Sequence, residues 1–258
     1  MTLYRSLLLA YYKVCNMMFL GDWVMTGMQL VSGRRQKGWS QQQAATRLGV
    51  SQPYLSLLEK GERAVTQELA HKAARVFGLS PVALPMKAAP ETPSPVNEDE
   101  LATDLADLGY PGFSHLKSQW HRTRSRKNPA EVLASALHVS ELDTRLTEAL
   151  PWVLLQFPEL NWQWLVSAAK LNDLQNRLGF VTNLARRLAE RRGESEKAAL
   201  LAQQESALER SRLAREDTLC HESLTTAERR WLRDHRSPEA KHWGLLTDLS
   251  PEHLSYAD

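Results

Sequence analysis

The chain of 258 residues has only two cysteines, Cys15 and Cys220, and no run of 18 apolar residues. Two cysteines are too few for a disulfide framework or a cysteine-based zinc site, which fits a reducing cytoplasm. Without a long apolar run, no membrane-spanning helix is expected. The composition, 43% hydrophobic and 24% charged, is typical of a soluble globular protein.

The motifs of common active sites are missing as well. The sequence contains no HExxH, GxSxG, CxxC or phosphate-binding glycine loop, and its histidines and carboxylates lack catalytic spacing. We therefore expect a protein that is not an enzyme and that holds no metal or cofactor. Three tryptophans, Trp152, Trp162 and Trp164, could suggest a binding site, but large rings that fill a helical core explain them better.

What the sequence does contain is one dense run of helix signals, SQQQAATRLGVSQPYLSLLEKG. Ser40 followed by Gln43 forms a capping box that predicts a helix start, and Gly49 predicts the end of that helix. Ser51 is the next N-cap candidate, and Pro53 falls in the first turn of a second helix, where its missing N–H costs little. Two short helices joined by a tight turn are the pattern of a DNA-binding helix-turn-helix.

The second helix has two distinct faces when its residues are placed about 100° apart. Leu55 and Leu58 should face the core together. The opposite and flanking positions form the predicted base-reading face, which consists of Gln52, Pro53, Tyr54, Ser56 and Leu57. Gln can bind adenine through two hydrogen bonds, Ser can bond to several bases, and apolar side chains can touch the thymine methyl group. Leu57 could equally be an ordinary exposed leucine.

Residues 26–84 resemble the XRE-type (Cro and phage-repressor) helix-turn-helix family. The matching residues are Trp39-Ser40-Gln41, Ala45, Leu48-Gly49-Val50-Ser51-Gln52, Leu55, Leu58-Glu59, Gly61, and the helix from Leu69 to Phe77 with Gly78-Leu79. The resemblance covers under a quarter of the chain and implies a five-helix domain that binds DNA. Gly33 and Ala44 stand where the family has larger aliphatic residues, so we expect the core to be underfilled at both positions.

The resemblance also implies contacts with the DNA backbone. In this family such contacts come from the end of the first helix and the start of the second. Phosphate contacts are predicted for Arg34, Lys37, Gln41, Ser51, Lys60 and Arg63. Between residues 26 and 84, eight Lys and Arg residues stand against three Glu residues, a net charge of +5 in a chain whose total is +2. Positive charge is therefore concentrated where phosphates would be met.

The rest of the chain divides by composition. Residues 1–25 form an extension whose pattern is not that of a signal peptide. This extension is either a helix packed on the protein or the result of an upstream start codon, with natural initiation at Met25 or Met28, and we favour the second. Residues 85–99 contain four prolines and form a predicted linker. Residues 100–258 show helical patterns and no β pattern, so we expect an all-α chain with a C-terminal helical domain.

Two long helices are predicted in this C-terminal domain, from Trp162 to Arg192 and from Glu194 to Leu219. The first carries apolar residues at spacings of three and four, a heptad pattern that indicates a core or an oligomer seam. Its members are Leu171, Leu174, Leu178, Val181, Ala185 and Leu188. Gly179 lies within the pattern, where it permits the close approach of another element.

These features together predict a sequence-specific, DNA-binding transcription regulator. Members of the resembled family usually act as repressors, and their dimers bind two half-sites about one helical turn apart. Residues 100–258 would then carry the dimer contacts. The alternative is an antitoxin, whose acidic C-terminal domain binds a toxin while its N-terminal domain represses its own operon. A third possibility, a sensor of small molecules, requires a polar-lined cavity within residues 100–258.

Overall fold

A computed structural model describes residues 25–86, 96–116, 126–254 and 256. The chain forms two compact units that divide between residues 88 and 89. Helices dominate both units, which confirms the predicted all-α class; strands β1 (Asp217–Thr218) and β2 (Leu245–Leu246) form one short parallel pair. Apart from Met25, the extension 1–25 lies outside the described residues, as does most of the predicted linker. The linker bounds and the start-codon hypothesis therefore stay predictions.

The first unit contains the predicted helices, each started by a local capping signal. They are α1 (Gly27–Gln36), α2 (Gln41–Leu48), α3 (Gln52–Glu59), α4 (Gln67–Phe77) and a one-turn 3-10 helix (Pro81–Ala83). Thr26, Ser40, Ser51 and Thr66 each accept a backbone N–H from the first turn of the helix that follows. The five predicted helices are therefore confirmed, the fifth as a single 3-10 turn.

The helices of the first unit pack around one apolar core. Five of its large side chains are at most 1% exposed: Leu30, Leu48, Leu55, Leu58 and Phe77. The prediction of an underfilled core at Gly33 is wrong. A Cβ atom on Gly33 would lie 2.8 Å from Leu79 Cδ2 and 2.9 Å from Phe77 Cβ, so neighbouring side chains already occupy that space.

The second unit begins with α5 (Glu98–Leu108), a 3-10 helix (Pro111–Leu116), α6 (Pro129–His138) and α7 (Thr144–Gln156). It continues with α8 (Trp162–Leu171), α9 (Gln175–Arg191), α10 (Ser195–Glu209), β1, α11 (Thr226–His235), α12 (Pro238–His242), β2 and a 3-10 helix (Pro251–His253). Helix α9 contacts α7, α8, α10 and α12 and is the central helix of the unit. The three candidate tryptophans are buried, as expected of core residues.

The single helix predicted from Trp162 to Arg192 is wrong. The chain breaks between α8 and α9, where Asp173 takes a left-handed conformation with φ of 57°. The backbone N–H of Leu174 donates to the Ala169 carbonyl over 2.8 Å and closes the end of α8. The helix predicted to run from Glu194 is also shorter than expected, because α10 ends at Glu209.

The heptad pattern serves the core of the second unit from Leu174 onward. Leu174, Leu178, Val181, Ala185 and Leu188 are buried within the unit. Leu171 lies at the end of α8, before the break, and its side chain is 63% exposed. Leu171 is therefore not part of this core, and the predicted seam is shorter than the sequence pattern.

Two residues of α9, Gly179 and Arg177, determine how neighbouring elements pack against this helix. Gly179 lies under the indole of the buried Trp243, so that a Cβ on Gly179 would be 2.2 Å from Trp243 Cζ3. Arg177 is buried and pairs with Asp217 over 2.9 Å and with Glu222 over 3.1 Å. Burial alone would lower the pKa of Arg177, but these carboxylates outweigh it and raise that pKa. The segment around β1 is thereby tied to α9.

Candidate nucleic-acid interface

The turn between α2 and α3 has the geometry that its sequence predicts. Gly49 ends α2 in the left-handed conformation, with φ of 66°, and the next backbone N–H, that of Val50, donates to the Ala45 carbonyl over 3.0 Å. Ser51 Oγ then accepts the backbone N–H of Tyr54 over 3.3 Å, which starts α3. The two short helices of the first unit are thus joined as a helix-turn-helix.

Helix α3 turns one face to the core and leaves the other accessible. Leu55 and Leu58 are fully buried, as predicted. Of the predicted base-reading residues, Pro53 is exposed, and the remaining four are half-buried: Gln52, Tyr54, Ser56 and Leu57. The face is therefore available in the position that its sequence predicts, and base contact by its side chains stays a prediction.

A chain of hydrogen bonds starts at Gln52 and runs into the core. Gln52 Nε2 donates to Gln41 Oε1 over 2.8 Å, and Gln41 Nε2 donates to Glu59 Oε2 over 2.8 Å. Glu59 in turn accepts from Arg34, whose Nε lies 2.6 Å from Oε1 and whose Nη2 lies 2.9 Å from Oε2. We call this set, Gln52, Gln41, Glu59 and Arg34, the glutamine–glutamate network.

The network fixes which way each amide points. An ionised carboxylate only accepts hydrogen bonds, so Gln41 must turn its amide nitrogen toward Glu59. Its carbonyl oxygen then faces Gln52, which must donate an N–H to it. The orientation of the Gln52 amide is therefore set by the charge on Glu59, two hydrogen bonds away.

Arg34, one of the predicted phosphate contacts, has partners inside the first unit. Its side chain is 13% exposed, and it pairs with Glu59, whose side chain is 4% exposed. Its Nη1 also donates to the Trp39 carbonyl over 3.1 Å. Because its donors are committed to groups inside the first unit, we expect Arg34 to position α3 and Gln41 rather than to hold a phosphate.

The ion pair shifts the pKa of both partners. The hydrogen bond to Glu59 raises the pKa of Arg34 above its ordinary value. Burial alone would raise the pKa of Glu59, but the hydrogen bonds from Arg34 and Gln41 outweigh it, so that pKa lies below its ordinary 4.5. Both groups are therefore charged at neutral pH, as the network requires.

The other predicted phosphate contacts are accessible, with Gln41 alone half-buried by the network. Lys37, Ser51, Lys60 and Arg63 are exposed. Lys60 is the C-cap of α3 and Ser51 its N-cap, so a cation and a capping hydroxyl flank the predicted base-reading face. Lys37 lies beside the C-terminal end of α4, where its Nζ would be 3.3 Å from a Cβ on Gly78.

Two contacts of this unit were not predicted from the sequence. The first is the Arg34–Glu59 ion pair, which joins residues 25 positions apart. The second is a cation–π contact, in which the Arg47 guanidinium lies 4.2 Å from the centre of a Trp39 ring. The sequence contained one hint of the ion pair. Glu59 and Gln41 are among the residues that match the family, and Arg34 and Gln41 are among the predicted phosphate contacts.

The comparisons with known proteins agree with this geometry. Residues 32–84 match the HTH_3 family model, described as a helix-turn-helix. This segment is an XRE-type helix-turn-helix domain. The match supports a DNA-binding transcription regulator of the XRE type. No curated protein and no solved structure matches the chain, and the C-terminal domain has no assigned family. Within the described ranges, none of the helices has the length and apolar character that a membrane crossing requires.

Proposed function

We propose that the chain is a cytoplasmic repressor of transcription, not an enzyme, and that it binds DNA as a dimer. The observation that carries this proposal is the glutamine–glutamate network. It holds Gln52, the first residue of the recognition helix α3, in one orientation at the N-terminal end where helix-turn-helix proteins meet base edges.

The network also favours one base. Gln41 takes one N–H of the Gln52 amide, which leaves one N–H and the carbonyl oxygen for DNA. Adenine offers one acceptor and one donor in the major groove, whereas guanine offers two acceptors. A Gln52 amide with one free donor and one acceptor matches adenine and mismatches guanine. We therefore expect an adenine in each half-site at the position that Gln52 meets.

The exposed cations supply binding that does not depend on sequence. Lys37, Lys60 and Arg63 can each neutralise a phosphate, and this part of the affinity falls as salt rises. Such contacts set the register of α3 on the duplex and carry no base preference of their own.

The small size of the recognition helix supports the proposed dimer. Helix α3 has eight residues, so one copy can contact only a few base pairs. Two copies on half-sites about one helical turn apart read twice as many positions. Occupying such a site in a promoter would block transcription, as is usual for the resembled family.

The test begins by selecting binding sites from random duplex DNA with the full chain. Affinity is then measured on the selected operator and on a scrambled duplex, each at two salt concentrations. We compare Gln52→Ala and Lys60→Ala with Gln67→Ala, which removes an exposed glutamine at the start of α4 and serves as the matched control.

Gln52→Ala should lose roughly 1–3 kcal/mol on the operator, about a 5- to 150-fold loss of affinity, and much less on the scrambled duplex. Lys60→Ala should weaken both duplexes about equally and reduce the salt slope by about one. Gln67→Ala should change neither. Equal losses for Gln52→Ala on the two duplexes would remove Gln52 from the base-reading set and leave Ser56 and Leu57.

The antitoxin alternative stays a prediction. The distribution of charge favours it. Residues 85–258 are net acidic while the first unit is basic, and an acidic domain suits a basic partner. Purification of the native chain from its own cells, followed by identification of bound proteins, tests it. A small basic protein that stays bound in equal amount would favour the antitoxin.

A further inference from the structure

An exposed stripe runs along α11 in the second unit. Its residues recur at the spacing of one helix face and are all exposed: Ala227, Arg230, Trp231, Asp234 and His235. Trp231 is 51% exposed, which is unusual for so large an apolar side chain. Leu232 on the opposite side is buried, so α11 is attached to the unit by its other face. We call the five exposed residues the α11 stripe.

The aromatic part of the stripe is held rigid. The rings of Trp231 and His235 stack with centroids 4.3 Å apart and planes 8° apart. His235 Nδ1 lies 2.7 Å from the Trp231 carbonyl oxygen, which fixes the second ring. Rigid aromatic groups lose little conformational entropy on binding, and tryptophan is common at the centre of protein interfaces.

The helix beneath the stripe is anchored as well. Arg229 donates to the Glu222 carbonyl over 2.7 Å, and Arg233 pairs with Glu216 over 2.6 Å. These contacts use the charges on the flank of α11 and leave the stripe as the surface that it presents. The stripe therefore needs no rearrangement before it meets a partner.

The heptad pattern, predicted to be a core or an oligomer seam, serves as a core. Leu174, Leu178, Val181 and Leu188 are buried in the core of their own unit, so they have no surface left for a second chain. A dimer formed through this unit must use another face. This step rests on the dimer in the proposed function.

The charges of the stripe suit a second copy of the same stripe. Arg230 and Asp234 lie one turn apart, have opposite signs and are both exposed. The charge of Asp234 also acts on its neighbour Arg233, whose pKa it helps to raise. Two antiparallel copies related by a two-fold axis near residue 232 would place each Arg230 opposite the partner's Asp234. The two Trp231 rings would then meet close to the axis. A partner with charge of a single sign would leave one of the two residues facing a like charge.

We infer that the α11 stripe is a self-complementary dimer contact, in which Trp231 forms the apolar centre and the Arg230–Asp234 pairs flank it. This arrangement is an isologous interface, in which the same patch serves both copies. It would pair two second units and so bring two helix-turn-helix domains to one operator.

The experiment measures the mass of the full chain in solution, without DNA, over a range of concentrations. The wild type should approach twice its 29.3 kDa as concentration rises. Trp231→Ala should weaken self-association by about 30-fold or more. Leu171→Ala, which removes another exposed apolar side chain of the same unit, is the matched control and should leave self-association unchanged. Melting curves check folding, and exposed positions should barely move them.

Charge reversal tests whether the partner is a second copy. Arg230→Asp and Asp234→Arg should each weaken self-association, because each places like charges opposite one another. An equal mixture of the two variants should restore a dimer that contains one chain of each kind. Three results would each overturn the inference. They are a wild type that stays a single chain, a Trp231→Ala variant that dimerises normally, and a mixture that does not pair. The operator preference of Gln52 is measured separately on DNA, so it can hold where this contact fails.

Discussion

Replacing Arg34 by alanine should destabilise the first unit without lowering the salt dependence of DNA binding. Arg34 is one half of an ion pair in which the Glu59 side chain is only 4% exposed. Its removal leaves that carboxylate charged, largely out of water, and held only by Gln41. Because its guanidinium points into the unit, the alanine variant loses no charge from the predicted phosphate-contacting surface.

The magnitude follows from the burial of the pair. Removing one partner of a buried ion pair costs about 3–5 kcal/mol, and the lower end applies here because Arg34 keeps 13% exposure. A loss of about 3 kcal/mol makes opening of the unit about 150-fold more frequent. Replacing both partners, as Arg34→Met with Glu59→Met, should give a more stable chain than Arg34→Ala, since no buried charge is left unpaired.

Hydrogen exchange of the amides in α1 to α4, measured on the full chain, reports this opening directly. The matched control is Arg35→Ala, which removes the neighbouring exposed arginine and should leave exchange nearly unchanged. Affinity for scrambled DNA at two salt concentrations gives the salt slope. An unchanged exchange rate together with a reduced slope would show that Arg34 does hold a phosphate, and would refute the positioning role.

Two further predictions concern pH and packing. The pKa of Glu59 in the folded chain lies below its ordinary 4.5, so the unfolded chain takes up a proton before the folded chain does as pH falls. The free energy of unfolding that the Arg34–Glu59 pair contributes should therefore be complete above about pH 4.5 and lost below it. Glu59→Gln should flatten this part of the plot of unfolding free energy against pH. Gly179→Ala should destabilise the second unit by roughly 1–3 kcal/mol, because the added Cβ would lie 2.2 Å from Trp243. A lower melting temperature checks the second prediction, and no change would mean that the indole moves aside freely.

The helices of the first unit could be predicted because their signals are local. Ser40 accepts a backbone N–H from the turn that follows it, and Gly49 takes a conformation that its missing side chain allows. Such signals act within four or five residues, so the sequence is enough to place them. The predicted core face of α3 was right for the same reason, since Leu55 and Leu58 follow from helical period alone.

The second unit shows where periodicity misleads. Leu171 and Leu174 continue a heptad spacing, although a break separates them, because spacing does not record whether the backbone stays helical. The missed signal was Asn172-Asp173, since Asn and Asp adopt the left-handed conformation more readily than most residues, and Asp173 does so here.

The Arg34–Glu59 ion pair of the candidate site could not be predicted from pattern. Arg34 was assigned to phosphate because it is a cation near the end of α1, and nothing in that position reveals a carboxylate 25 residues later. The pairing depends on how α1 and α3 pack. That packing is close: a Cβ on Gly27 would lie 2.4 Å from the Leu58 carbonyl oxygen. Local sequence rules place each helix, and only the packed structure shows which polar side chains meet.

The glutamine–glutamate network links the stability of the first unit to its base preference in one direction only. Arg34 and Glu59 lie at its buried end, so losing Arg34 should weaken the fold and also release the amide of Gln41. Gln52 lies at the accessible end, where its removal leaves the ion pair intact. Arg34→Ala should therefore change both hydrogen exchange and the operator-to-scrambled ratio, whereas Gln52→Ala should change the ratio alone. If Arg34→Ala speeds hydrogen exchange but leaves the operator-to-scrambled ratio unchanged, the two ends are not coupled, and the orientation of Gln52 is set by DNA rather than by the protein.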